Sequence, residues 1–249
     1  MATPARDDGV RSISTRRAAW MPLLIDVYGA ETALAVAAEV AELVESHCQD
    51  DRDRSPKRWS EHDVWLITYP DQFQRPGTPP LRSLLTFLNG HLASLCNGVH
   101  ILPFFPSSSD EGFSILDYTA VDPDHGDWSD IEAIAARWRL MVDAVVNHCS
   151  AGSDWFTSWR ADDAAFRDFF RTADPGADLG AVVRAREHPL LTRFATTHGD
   201  EWVWTTFSPD QVDLDYRNPA VLIRILDVIL SYAAHGAEVI RLDAIGFIW

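Results

Sequence analysis

The sequence predicts an α/β fold built on a parallel sheet. Three observations carry this: short apolar runs rich in β-branched residues, helix-periodic segments between them, and turn residues at each change of rhythm. VWLITY (Val64 to Tyr69) is a short apolar run stopped by Pro70, as expected of a strand buried on both faces. LRSLLTFLNGHLASL (Leu81 to Leu95) has helical spacing, and GVHILPFF (Gly98 to Phe105) reads as a second buried strand. WSDIEAIAARW (Trp128 to Trp138) follows as a helix with Ser129 as its N-cap, and RLMVDAVVNH (Arg139 to His148) as a third strand. Residues 151–209 then interrupt the alternation with mixed charge, aromatic pairs and turn residues, and read as an inserted subdomain. Regularity returns in Asn218 to Gly236, a helix with an Asn cap, Pro219 in its first turn and a closing glycine. AEVIRLDAI supplies the fourth strand.

Ahead of this block the apolar residues from Ser14 to His47 recur at helical spacing, and a charged, Pro-containing connector follows. The expected organisation is a helical N-terminal segment and linker over 1–60, then an α/β domain over 61–249. With 249 residues, 47% of them hydrophobic, the chain has material for one large core. Its net charge of -16 disfavours nucleic acid and anionic membranes and suits a neutral partner. No apolar run approaches the roughly 18 residues of a membrane span, and the start lacks the apolar stretch of a signal peptide, so a cytoplasmic location is expected. Cys48, Cys96 and Cys149 are odd in number and lack metal-type spacing, which fits free thiols.

In parallel βα architectures the functional groups collect where strands end and the following loops open a common face. The second strand runs into SSSDEGF, the third into Asn147 and His148, and the fourth into Arg241 and Asp243. Singly, each has a structural reading: Asp143 and Asn147 hydrogen-bond nearby loops, His148 is a core histidine, and Arg241 and Asp243 form an ion pair, being two apart on one strand face. Cys149 beside His148 suggests a thiol nucleophile without a second partner. Asp143, Asn147 and His148 suggest a metal site without further ligands. Convergence of three polar clusters on one end of the sheet favours a site, and neither metal nor cofactor is expected in it.

DAVVNH, QVDLD and GAEVIRLDA, in this order and with an insertion after the third strand, resemble the sequence regions of the α-amylase superfamily of (β/α)8 barrels. LITYPDQF, GVHILPFFPSSSDEGFSILDYTAVD and RLDAIGFIW are most similar to its sucrose phosphorylase branch. The helical N-terminal segment and WTTFSPDQVDLDYRNP are closer to the glucosylglycerate phosphorylase and sucrose 6'-phosphate phosphorylase relatives. The resemblance implies the N-terminal half of a TIM barrel, with an inserted subdomain after the third strand. It implies a retaining phosphorylase that passes α-glucosyl from a small glucoside to inorganic phosphate. Asp243 falls at the nucleophile and Arg241 at the residue that orients it and keeps it ionised. His148 and Asp110 fall at glucose ligands and Phe113 at an aromatic platform under the ring. RAREHPLLTRF resembles a stretch of the acceptor or phosphate site, which makes Arg186 and Phe194 candidates, with Ala185 standing where the family has Pro.

Retaining transfer needs two carboxyl groups about 5 Å apart, and the resemblance puts the acid/base Glu on a fifth strand and a further Asp after a seventh. The expectation is a piece of a longer enzyme that needs the other half of its barrel, is inactive alone and exposes two sheet edges to aggregation. Loss of proton transfer alone removes a factor of about 10² to 10⁴. A hydrolase or transglucosylase of the same superfamily, and a non-catalytic fragment or half of a split enzyme, stay open as alternatives.

Overall fold

A computed structural model describes residues 13–47 and 59–248. Cys48, most of the predicted connector and Trp249 lie outside the described residues. The chain divides into two compact units, Met1–Asp51 and Arg52–Trp249. In the first, α1 (Ile13–Tyr28) and α2 (Ala30–His47) are separated by Gly29, so the predicted helical segment is a pair of helices.

In the second unit the elements run β1 (Trp65–Thr68), α3 (Pro80–Phe87), β2 (Gly98–Ile101), a short hairpin of β3 (Ser107–Ser109) and β4 (Ser114–Ile115), then α4 (Trp128–Ala135) and β5 (Arg139–Val145). The insertion holds β6 (His148–Ser150), α5 (Asp154–Arg160) and the hairpin β7 (Leu191–Thr196) and β8 (Gly199–Trp204). It closes with β9 (Gln211–Asp213), and α6 (Pro219–Ala234) and β10 (Ala237–Asp243) follow. β1, β2, β5 and β10 form one parallel sheet whose spatial order follows the chain, as in half of a (β/α)8 barrel.

Four predicted boundaries shift, each for a local reason. The second strand stops at Ile101 because Pro103 has no N–H to extend the ladder. The helix after β1 is α-helical only to Phe87 and widens into a π turn at Leu88–Leu92, which contains Asn89 and Gly90. The third strand ends at Val145; after a break, His148 to Ser150 pairs antiparallel with Gln211 to Asp213. The break is held open by Tyr216 Oη, which donates to the Val146 carbonyl at 2.6 Å, and by Leu214 N–H, which donates to Asn147 at 2.9 Å. The fourth strand ends at Asp243, because Ala244 is left-handed at φ 55°.

The N-cap of α4 is Asp127 rather than Ser129: its carboxylate accepts from the N–H of Ser129 and Asp130 in a capping box with Asp130. A carboxylate at the positive end of the helix is the stronger cap. Asn218 caps α6 through the Ala220 N–H at 3.0 Å. Gly236 (φ 100°) closes it where a Cβ would lie 2.6 Å from Ala135.

Alternation along the strands gives the sheet two unlike faces. Val99, Ile101, Leu140, Val142 and Ala144 are buried against Leu84 of α3, Ile131 and Ile134 of α4, and Val221, Ile225 and Tyr232 of α6. Register places His100, Asp143, Arg241 and Asp243 together on the opposite face.

Candidate active site

On that opposite face a line of charge crosses three strands. Asp143, fully buried on β5, accepts hydrogen bonds from Arg241 Nη1 of β10 and, at 2.7 Å, from His100 Nε2 of β2. Arg241 Nη2 reaches on to Asp243 Oδ1 at 3.1 Å. The ion pair expected from an Arg and an Asp two apart is therefore present, and Arg241 is held from behind by a second carboxylate. Asp143 serves this pair and His100 rather than a neighbouring loop.

The electrostatics of Asp243 differ from the expectation that Arg241 keeps it readily ionised. Burial pushes its carboxyl above the usual range, Arg241 pulls it down, and the charges of Asp143 and Asp110 push it up again. Burial is the largest of these effects, and Arg241, which also serves Asp143, does not offset it.

His148 is buried where the chain leaves β5. Its Nε2 lies 3.1 Å from the Phe113 carbonyl, which accepts its proton, and Nδ1 accepts the Asn147 amide at 3.4 Å. Burial lowers its pKa to about 4, so the ring is neutral at pH 7 with a proton on Nε2. Tyr118 Oη donates to the His148 carbonyl at 2.6 Å and fixes the corner.

Asp110 stands at the tip of the β3–β4 hairpin, where its Oδ2 accepts Gln211 Nε2 at 2.9 Å and its Oδ1 faces Arg186 Nη2 at 3.5 Å. Gln211 Nε2 is also 3.1 Å from His148 Nε2, a contact between two donor nitrogens that sets the residues side by side. The rings of His148 and Phe207 are 5.1 Å apart, and Phe207 meets Phe247, past the end of β10, at 5.1 Å edge-on. A cavity of about 390 Å³ flanks the hairpin and is lined by Tyr69, Pro103, Glu111 and His125 among others, not by His148 or Asp243.

The fold thus brings together Asp243, Arg241, His148, Asp110 and Arg186, with Phe113 joined through its backbone. Phe194 is not among them: it lies on β7, and its ring packs edge-on against Phe156 at 4.8 Å in the apolar cluster of the insertion. The Cys149 thiol is buried and its pKa is pushed up to about 12, which removes it as a nucleophile. Among the described residues, no three His, Cys, Asp or Glu side chains cluster as metal ligands.

Residues 92–249 match the family model described as the alpha amylase catalytic domain. The chain belongs to the α-amylase family. Within it, the chain is 49% identical over 223 residues to the glucosylglycerate phosphorylase of Allomeiothermus silvanus, an alignment covering 90% of this chain and 40% of the relative. It is 44% identical to the glucosylglycerate phosphorylase of Escherichia coli, over 91% of this chain and 41% of the relative. The crystal structure of sucrose 6F-phosphate phosphorylase from Thermoanaerobacter thermosaccharolyticum superposes with a TM-score of 0.69 at 31% identity, over 76% of this chain and 41% of that one. The chain therefore spans about two fifths of the length of the curated relatives it matches.

His100, Gln211, Phe207 and Phe247 escaped sequence reasoning as site residues, and Asp143 was weighed there only as a loop partner or metal ligand. Gln211 had a signal in opening QVDLD. The His100–Asp143–Arg241 line had only its period-two spacing on three strands, which fixes a face without naming partners.

Proposed function

We propose that this chain forms the glucosyl-donor side of a retaining phosphorylase that transfers α-glucosyl from a small glucoside to inorganic phosphate, giving glucose 1-phosphate. The observation that carries this is the Asp143–Arg241–Asp243 line opening beside His148 and Asp110 at the C-terminal end of a parallel sheet. Asp243 is the group to attack the anomeric carbon, since Asp143 spends both oxygens on Arg241 and His100. Arg241 aims it and stabilises the carboxylate as the glucosyl ester forms and breaks. Neutral His148 turns its Nε2–H from the Phe113 carbonyl to a sugar hydroxyl as the donor enters, and Asp110 accepts from hydroxyls at the far edge of the ring.

The mechanism requires a second carboxyl group about 5 Å from the nucleophile. Among the described residues the other carboxylates at this end are engaged: Asp110 with Gln211, Glu111 with Tyr69, Asp210 with serine hydroxyls and Asp213 with Thr206. The acid/base is therefore assigned to a residue outside them, and residues 13–248 alone are expected to show no turnover. The similarity to glucosylglycerate phosphorylases supports a small anionic or neutral glucoside as donor. The test uses the full natural polypeptide that contains this chain, given glucosylglycerate or sucrose with phosphate. Phosphate-dependent glucose 1-phosphate supports the reading. Free glucose released at the same rate without phosphate overturns it in favour of hydrolysis.

A further inference from the structure

The serine run before Asp110 and the Asp before QVDLD take no part in the chemistry above, yet the fold joins them. Asp210 Oδ2 accepts the hydroxyls of Ser108 at 2.6 Å, Ser109 at 2.5 Å and Ser114 at 2.8 Å. Ser150 Oγ donates to Oδ1 at 3.3 Å and lies 2.7 Å from Ser108 Oγ. The Asp210 carbonyl also accepts the Ala151 N–H at 2.7 Å. Burial raises the Asp210 carboxyl, but the serine hydroxyls outweigh it and hold the group below its usual range. Three hydroxyls converging on one oxygen require this ionised form.

Between Ser109 and Ser114 the backbone passes through three successive left-handed residues: Asp110 at φ 54°, Glu111 at 52° and Gly112 at 100°. The third must be glycine, because a Cβ there would lie 2.8 Å from the Pro103 carbonyl. Two non-glycine residues in a row hold this conformation only where the surroundings over-determine it. Asp210 grips both flanks of the turn, its neighbour Gln211 grips Asp110, and Tyr69 Oη donates to Glu111 at 2.5 Å.

We propose that Asp210 is a positioning residue for the glucosyl donor: by collecting hydroxyls from both sides of the Asp110 turn, it sets the Asp110 carboxylate in place before the sugar arrives. This rests on the reading of Asp110 as a glucose ligand given above. The carboxylate acts in donor binding and leaves the bond-breaking step to Asp243.

The test is Asp210→Asn in the full natural polypeptide. Removing a contact made equally in ground and transition states raises KM for the donor about tenfold and leaves kcat within about twofold. Amide hydrogen exchange accelerates across residues 107–115 while the amides of α3 and α6 keep their protection. Ser109→Ala, which removes one of the hydroxyls, raises donor KM by roughly threefold and answers the question if Asp210→Asn fails to fold. Unchanged donor KM in both folded variants, or exchange that quickens evenly along the chain, overturns the proposal and leaves Asp210 a general stabiliser. An inactive parent polypeptide overturns the donor-site reading along with it.

Discussion

Two arginines lie on the same face of the sheet at its opposite ends, and each holds two carboxylates. Arg139, where β5 begins, pairs with Asp63 and, at 2.8 Å, with Glu238, under the rings of Trp59 and Trp65. Arg241, near the end of β10, pairs with Asp143 and Asp243. The Arg139 side chain is 9% exposed and that of Arg241 46% where only four strands of the barrel stand. The carboxylates respond in opposite directions. Hydrogen bonds from Asn97 and the Ser60 N–H, with Arg139 beside them, hold Asp63 below its usual range, whereas burial among other acids pushes Asp243 above it. A satisfied pair stabilises; a pair whose carboxyl is raised by burial and neighbouring acids is suited to chemistry.

Breaking the two ends should therefore give unlike losses. Asp243→Asn in the full polypeptide is expected to cut glucosyl transfer by on the order of 10⁴-fold, with the melting curve little changed. Comparable stability loss with retained transfer would reverse the assignment. Arg139→Met should do the opposite, costing roughly 3 kcal/mol in denaturant unfolding for a broken, mostly buried pair while KM and kcat per folded molecule stay near the parent values.

His148 sharpens the comparison through pH. Its folded pKa is lowered to about 4 from 6.5, so below pH 6.5 the unfolded chain binds more protons than the folded one. The stability it contributes is present above pH 6.5 and is lost as pH falls toward 4, by up to roughly 3 kcal/mol. Unfolding midpoints across that window, with and without His148→Gln, measure this, and the variant should flatten the acid limb. The smallest effect lies far from either arginine: Asp127→Ala removes the cap of α4 and should lower the thermal unfolding midpoint slightly, with no change in transfer.

The strands were legible because each is an apolar run between turn residues, and the helices because their apolar positions repeat. Their ends were less so, since a proline at 103, a π turn near Gly90 and a left-handed Ala244 act through geometry that hydrophobic rhythm does not record. That Asp243, Arg241, His148 and Asp110 gather at one end of the sheet was legible from motifs whose members are close in sequence. Partnerships across the fold were not: Asp143 and Arg241 are 98 positions apart, and Asp210 and Ser109 are 101. Phe194 was near a motif in the chain, and sequence alone did not show that its ring packs edge-on against Phe156.

The most direct test of the central claim, that Asp243 is the residue that carries the glucosyl group, is peptide mass spectrometry of the full polypeptide quenched during turnover of a slow glucosyl donor without phosphate. The account predicts one glucosyl residue esterified to the peptide containing Asp243, absent in Asp243→Asn and discharged as glucose 1-phosphate when phosphate is added. Glucose 1-phosphate formed at the parent rate by Asp243→Asn, or an adduct on another carboxylate, would contradict it.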